Sequence, residues 1–270
     1  MALRTKETPE IPEINPEKVV KKLTADIRST ISSANQTKAL LGISGGVDTS
    51  VLADLCARAI GADNVYGLQL ISSPEEEAQA KNGAILARHL RIRLRRIEIS
   101  RLVDTMAEML TVPFHGEEAI LRRHQITDRL RMVLVLDKAE QEGMCHISAV
   151  NRTEKLLGMG VVCGTFSPVY QPLSRIFKTH IYEIAQYLEL PEQILIRQPS
   201  FELWKNPADG AEPRTVIKEI DKLLYLRLEK RLPPSKLKRL GFAPRFVSTL
   251  LKRLDEVHTQ LSVFKDVVDP

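Results

Sequence analysis

Cysteine is scarce: Cys56, Cys145 and Cys163 are the three in 270 residues. They are too few and too scattered for a disulfide framework or a CxxC pair, which excludes a disulfide-stapled secreted scaffold. Aromatic residues make up 5%, with one tryptophan. No apolar run approaches the ~18 residues that a membrane span requires. Met1 to Pro16 holds no apolar core of a signal peptide. Internal repeats and low-complexity tracts are absent. These absences point to a reduced, cytoplasmic protein that spans no membrane.

What remains is ordinary globular composition. Hydrophobic residues are 43% and charged residues 27%, which excludes wholesale disorder. A chain of this length buries roughly 70–75% of its unfolded surface and needs no metal or disulfide staple. Lys and Arg number 39 against 34 Asp and Glu, a net charge of +5. Mild basicity suits an anionic ligand such as a nucleotide. The cations cluster at Arg91, Arg93, Arg95 and Arg96, and again at Arg227, Lys230, Arg231, Lys236, Lys238 and Arg239. Solvated surface or a strand edge accounts for both clusters. No stacking aromatics are interleaved with them, so no nucleic-acid partner is expected.

Residues 1–15, with Pro9 and Pro12, read as a flexible N-terminal arm. Asn15-Pro16 then pairs an N-cap with proline at the first helical position. Val19, Val20, Leu23, Ile27 and Ile31 recur at helical spacing, so a helix is predicted to about Ser33. The apolar stretch Ala39 to Ile43 is short enough for a buried strand. A second helical pattern follows Gly45-Gly46. Val65 to Ile71, Ile92 to Ile99 and His146 to Val150 read as further strands. Glu75 to His89 and Ile120 to Glu140 read as helices between them. This alternation predicts an α/β fold: a doubly wound parallel sheet with helices on both faces. From Thr179 onward the chain reads as mainly helical. One domain over 16–270 is expected, with a helical C-terminal extension from about 211.

The first strand end is Ile43-Ser44, where the segment Ser44-Gly45-Gly46-Val47-Asp48-Thr49-Ser50 begins. Ligands of such sheets sit beyond the carboxyl ends of the strands. Paired glycines let backbone approach an anion closely, and the amides at a helix start point at it. Ser44, Thr49 and Ser50 add hydroxyl donors. Asp48 beside a phosphate makes sense if it holds a metal or caps the helix. No Gly-Lys-Ser/Thr follows, so the loop is not a Walker A motif. It resembles the PP-loop of N-type ATP pyrophosphatases, which cleave ATP between the α and β phosphates and adenylate a substrate.

Further segments narrow the resemblance. Asp128-Arg129-Leu130-Arg131-Met132 lies on the long helix, and Asn151-Arg152-Thr153-Glu154 follows the last strand. Pro172-Leu173-Ser174-Arg175-Ile176-Phe177-Lys178-Thr179-His180-Ile181 comes next, then Pro191 to Leu195, and Pro199-Ser200-Phe201-Glu202-Leu203. Their order and wording over roughly residues 17–225 resemble ammonia-dependent NAD synthetase. The resemblance implies an adenine nucleotide alpha hydrolase-like fold and a homodimer. It implies ATP and Mg2+, with deamido-NAD or a related carboxylic acid as acceptor and ammonia as nitrogen donor; no glutaminase module is read in the 270 residues. Carried over by position, ATP would meet Gly42, Ile43, Ser44, Gly45, Gly46, Val47, Asp48, Thr49, Ser50, Lys178 and Ser200. Asp48 and Glu154 would hold magnesium, a cation that takes hard oxygen ligands and few protein contacts. Asp48 and Lys178 would be catalytic, and Arg129 or Arg131 would face the dinucleotide.

The dinucleotide half departs from that family's pattern. Leu136 stands where the family has Tyr, and Ser148-Ala149 where it has Gly-Thr. Val162, Thr165 and Val169 replace one lysine and two aspartates. Gly210 replaces a glutamate, and His258 is followed by Thr259-Gln260 instead of Lys-Arg. Losing a buried, specific charged contact typically costs ~2–5 kcal/mol. Three alternatives therefore stand beside deamido-NAD amidation: a ligase for another acid, a silent nucleotide-binding protein, and a tRNA-modifying enzyme. The intact acids and Lys178 favour chemistry over binding alone.

Overall fold

The computed structural model describes residues 10–113, 115–159, 170–196 and 213–265. Helix α1 (Pro16–Ser33) starts where sequence predicts, with the Asn15 side chain accepting from the Lys18 amide at 2.9 Å. Its buried stripe is Val20, Leu23, Ile27 and Ile31. Strand β1 (Ala39–Gly42) leads into helix α2 (Val47–Ile60), and β2 (Val65–Ile71) into α3 (Pro74–Leu90). Strand β3 (Arg93–Glu98) is followed by α4 (Ser100–Met109) and the long α5 (Glu117–Gln141). Strand β4 (Cys145–His146) precedes the short α6 (Arg152–Leu156). Then come α7 (Lys178–Tyr187), α8 (Glu192–Leu195), α9 (Pro213–Leu224), α10 (Pro234–Lys238) and α11 (Pro244–Lys265).

The four strands are all parallel, in the order β3-β2-β1-β4. Successive β1 side chains enter different cores. Ala39 and Leu41 pack with α1, α2 and α7, whereas Leu40 packs with Val135 and Ala139 of α5. Both faces of the sheet are thus covered, which is why the strand reads as a continuous apolar run. β3 forms an edge, and its arginines Arg93, Arg95 and Arg96 suit an edge, where charge discourages further strand pairing. Arg93 stacks on the Tyr66 ring, 5.0 Å from its centroid.

Two expectations need correction. The strand read over His146–Val150 is only Cys145–His146, with Ile147 extending it by a single parallel bridge to Tyr170. Beyond Ser148 the backbone leaves the sheet, because Asn151 caps α6. Helix α4 is also absent from the sequence reading; its Val103 and Ala107 pack on Ile126 and Leu130 of α5. The C-terminal helices gather a core of their own, built on Leu223, Leu224, Leu237 and Leu250, which meets the body at Leu157 and Phe177. Residues 10–15 of the expected arm bridge the two: Ile11 packs on this core and Glu10 pairs with Lys222 of α9, whereas Ile14 packs on the core of α1, α2 and α7.

Candidate active site

A cavity of about 500 Å³ opens at the carboxyl ends of β1, β2 and β4. Its floor is the Gly42–Thr49 loop. Gly45 has φ +78°, a conformation that side-chain-bearing residues rarely adopt, so the turn requires glycine. Gly46 is the N-cap of α2 and supplies no side chain, so the first amides of the helix keep no capping partner of that kind. Helix-start amides left this way attract anions. Ser44 Oγ accepts from the Gly46 amide at 3.2 Å and shares a hydrogen bond with Thr49 Oγ1 at 3.3 Å. Ser50 is turned inward: it is fully buried, and its hydroxyl donates to the Gly46 carbonyl at 2.8 Å. Its hydroxyl therefore supports the loop and does not face the cavity.

Three charges meet beside the loop. Asp48 stands in the first turn of α2, Glu154 in α6, and Lys178 opens α7. The Lys178 ammonium pairs with Asp48 Oδ2 and lies 3.6 Å from Glu154 Oε1. Asn151, fully buried, donates from Nδ2 to Asp48 Oδ1 at 2.8 Å. The same side chain caps α6 in a capping box with Glu154. Burial, and then the negative charge of Asp48, push the Glu154 carboxyl up to about 7. Burial works to lower the Lys178 pKa, but the charges of Asp48 and Glu154 outweigh it and hold the amine above its ordinary range. One ammonium thus faces two carboxylates, and a further cation beside them would relieve the excess negative charge. Two oxygen donors open to a cavity match the few protein ligands that magnesium takes. Among the described residues there is no cluster of three or more metal-ligating side chains.

The far wall carries Arg131 of α5. Its guanidinium donates to Glu76 Oε1 at 2.6 Å and to Ser72 Oγ at 3.3 Å, and lies 3.5 Å from Asp128. Burial works against the charged Glu76 carboxyl, but the hydrogen bonds from Arg131 and Ser72 outweigh it and hold its pKa below the ordinary range. Arg131 lines the cavity; Arg129 does not. His146 also lines it, and burial pulls its pKa down to about 4, so the ring is neutral near pH 7. Ser200, Asp209, Cys163 and the altered segment 160–169 lie outside the described residues. Cys56 is fully buried, and burial pushes its thiol pKa up, away from reactivity.

Sequence reasoning assigns no role to Asn151 or Glu76. An Asn followed three residues later by Glu is a capping signature, and it was the available signal for Asn151. Nothing local marks Glu76, because its partner Arg131 is 55 residues away.

A parallel sheet ending in this loop, with two acids and a lysine beside it, defines a PP-loop α/β protein. A family model described as NAD synthase matches residues 19–262. The NH(3)-dependent NAD(+) synthetase of Chlorobaculum parvum is 30% identical over 220 residues, 82% of this chain and 78% of the relative. The solved NH3-dependent NAD synthetase from Campylobacter jejuni shares the fold, with a TM-score of 0.71 at 23% identity, covering 90% of this chain and 95% of that one. So does NMN synthetase from Francisella tularensis, with a TM-score of 0.69 at 20% identity over 92% and 94% of the two chains. The chain belongs to the NAD synthase family.

Proposed function

We propose that this protein amidates the carboxylate of deamido-NAD in two steps. A carboxylate oxygen attacks the α-phosphorus of ATP, the bond to the bridging oxygen breaks, and pyrophosphate leaves. Ammonia then attacks the acyl carbon of the adenylate, loses a proton, and expels AMP to give NAD. The observation that carries the reading is the Asp48, Glu154 and Lys178 cluster beside the glycine loop of the cavity.

In this reading the Ser44–Thr49 loop cradles the phosphates with backbone amides. Lys178 moves from Asp48 toward the oxygens of the leaving pyrophosphate, where charge builds in the transition state. Asp48 and Glu154 hold Mg2+, which when bound neutralises phosphate charge and polarises the phosphorus. Asn151 keeps the Asp48 carboxylate aimed into the cavity. Arg131 meets the acid substrate, with Glu76 fixing its direction. Ser200 remains proposed for ATP by resemblance alone.

A second reading takes another acid, and one observation favours it. Arg131 is already neutralised by Glu76 and Asp128, which weakens its pull on a dianionic dinucleotide. The test is release of AMP and pyrophosphate from ATP and Mg2+, with and without deamido-NAD and ammonium. AMP and NAD appearing in step, only with both present, support the first reading. AMP release driven by a monoanionic acid such as nicotinate but not by deamido-NAD overturns it in favour of the second.

A further inference from the structure

The start of α7 has no local cap. Phe177 occupies the N-cap position and offers no side-chain hydrogen bond. The first two amides, Lys178 and Thr179, nevertheless have partners, both supplied from other helices. The Lys178 amide donates to Thr153 Oγ1 of α6 at 2.9 Å. The Thr179 amide and hydroxyl both donate to Asp221 Oδ2 of α9, each at 2.8 Å. The Thr153 hydroxyl donates in turn to Asp221 Oδ1. Asp221 is fully buried, so its carboxylate has no solvent to turn to.

We infer that Asp221 is a positioning residue for the candidate active site. This rests on the ATP chemistry proposed for Lys178 and Glu154. One carboxylate from the C-terminal helices fixes two helix starts together. Through Thr153 it holds the residue next to Glu154. Through Thr179 it holds the residue next to Lys178. A negative group at a helix N-terminus is favourable in itself, and here it comes from a distant segment. The Thr153 hydroxyl has one hydrogen to give, and accepting from Lys178 commits that hydrogen to Asp221. An amide in place of the carboxylate would point hydrogens at one of these donors, because all three contacts require an acceptor.

The measurement is the Kd of the full chain for α,β-methylene-ATP by calorimetry. Asp221→Asn is expected to weaken binding about tenfold or more. Thr153→Val should do the same through the relay, while Thr153→Ser, which keeps the hydroxyl, stays within about twofold of the parent. The decisive arm is a double-mutant cycle with Lys178→Met. The share of the effect that runs through Lys178 disappears once that ammonium is gone, so Asp221→Asn should then weaken binding by less than about half its factor in the parent, the rest running through Thr153 beside Glu154. Equal weakening in both backgrounds overturns the inference, as does an Asp221→Asn Kd unchanged from the parent. Should Asp221→Asn fail to fold, the Thr153→Val and Thr153→Ser pair decides: equal Kd values overturn the inference. Binding needs no acid substrate, so absence of deamido-NAD turnover counts against the proposed reaction alone.

Discussion

Single side chains carry most of the proposed chemistry. Lys178 is the sharpest case, because its ammonium is buried and answers two carboxylates. Lys178→Met should lower kcat for pyrophosphate release by about 10²–10³-fold, the usual scale for one lost transition-state donor. Pre-steady-state measurement of pyrophosphate checks this, and a kcat within twofold of the parent removes Lys178 from the mechanism. His146 offers a stability test at the same scale. Its pKa falls from an ordinary 6.5 to about 4 through burial, so the folded protein binds fewer protons than the unfolded chain between those values. Its contribution is therefore complete above about pH 6.5 and is lost as pH drops toward 4, up to about 3 kcal/mol. Its Nδ1 atom is buried without a partner among the described residues, consistent with a ring kept neutral. Urea unfolding at pH 7.5 and pH 5 should show a drop that His146→Phe flattens; an equal drop in both proteins rules the histidine out.

Elements differ in how much of themselves they announce. The α1 start was legible because Asn15-Pro16 is a local signal acting on its own amides. β2 was legible end to end, since Val65–Ile71 is apolar between polar turns. β4 was not, because the apolar pattern of Ile147–Val150 continues after the chain has left its ladder with β1, which itself runs on to Gly42. Periodicity reports burial, and burial there comes from the cavity wall as well as from a sheet. Helix α4 was missed although Val103 and Ala107 sit four apart on one face; ten residues gave too short a pattern beside the long α5. The site was legible where it is a loop and illegible where it depends on tertiary pairing. Ser44–Ser50 declares itself by its glycines, whereas the Arg131–Glu76 pair and the role of Asp221 appear only once the helices meet. The glycine loop yields its own prediction. Gly45→Ala places a Cβ at φ +78°, a left-handed backbone costing roughly 1–2 kcal/mol. Thermal melting should register that loss, and ATP affinity should fall with it as the amides move. An alanine variant with parental melting and parental ATP affinity would show that the loop tolerates another geometry.

At the scale of the whole molecule, the distribution of exposed apolar surface favours a second copy of the chain. Nine large hydrophobic side chains stand exposed among the described residues, and five of them lie on α4, its end, or the first two turns of α5: Leu102, Met109, Leu110, Ile120 and Leu121. Leu102 and Met109 are seven residues apart, so they share one helix face. Scattered single apolar residues need no explanation, but five close in sequence on two amphipathic helices that pack on each other do. The inward faces of α4 and α5 are already used, by Val103, Ala107, Ile126 and Leu130. The outward face is then the one available for association. We propose a two-fold homodimer through this surface, since an isologous contact covers the same patch on both copies at once. No helix among the described residues is long and apolar enough to cross a membrane. A stable dimer buries on the order of 1,600 Å², within reach of two paired helices on each side. Light scattering on the purified chain should give twice the monomer mass. Paired Met109→Glu and Leu121→Glu substitutions, which put like charges opposite their symmetry mates, should halve it while leaving helicity intact. A monomeric parent, or a charged variant that stays dimeric, would move the interface elsewhere and leave the α4–α5 face without a partner of its own kind.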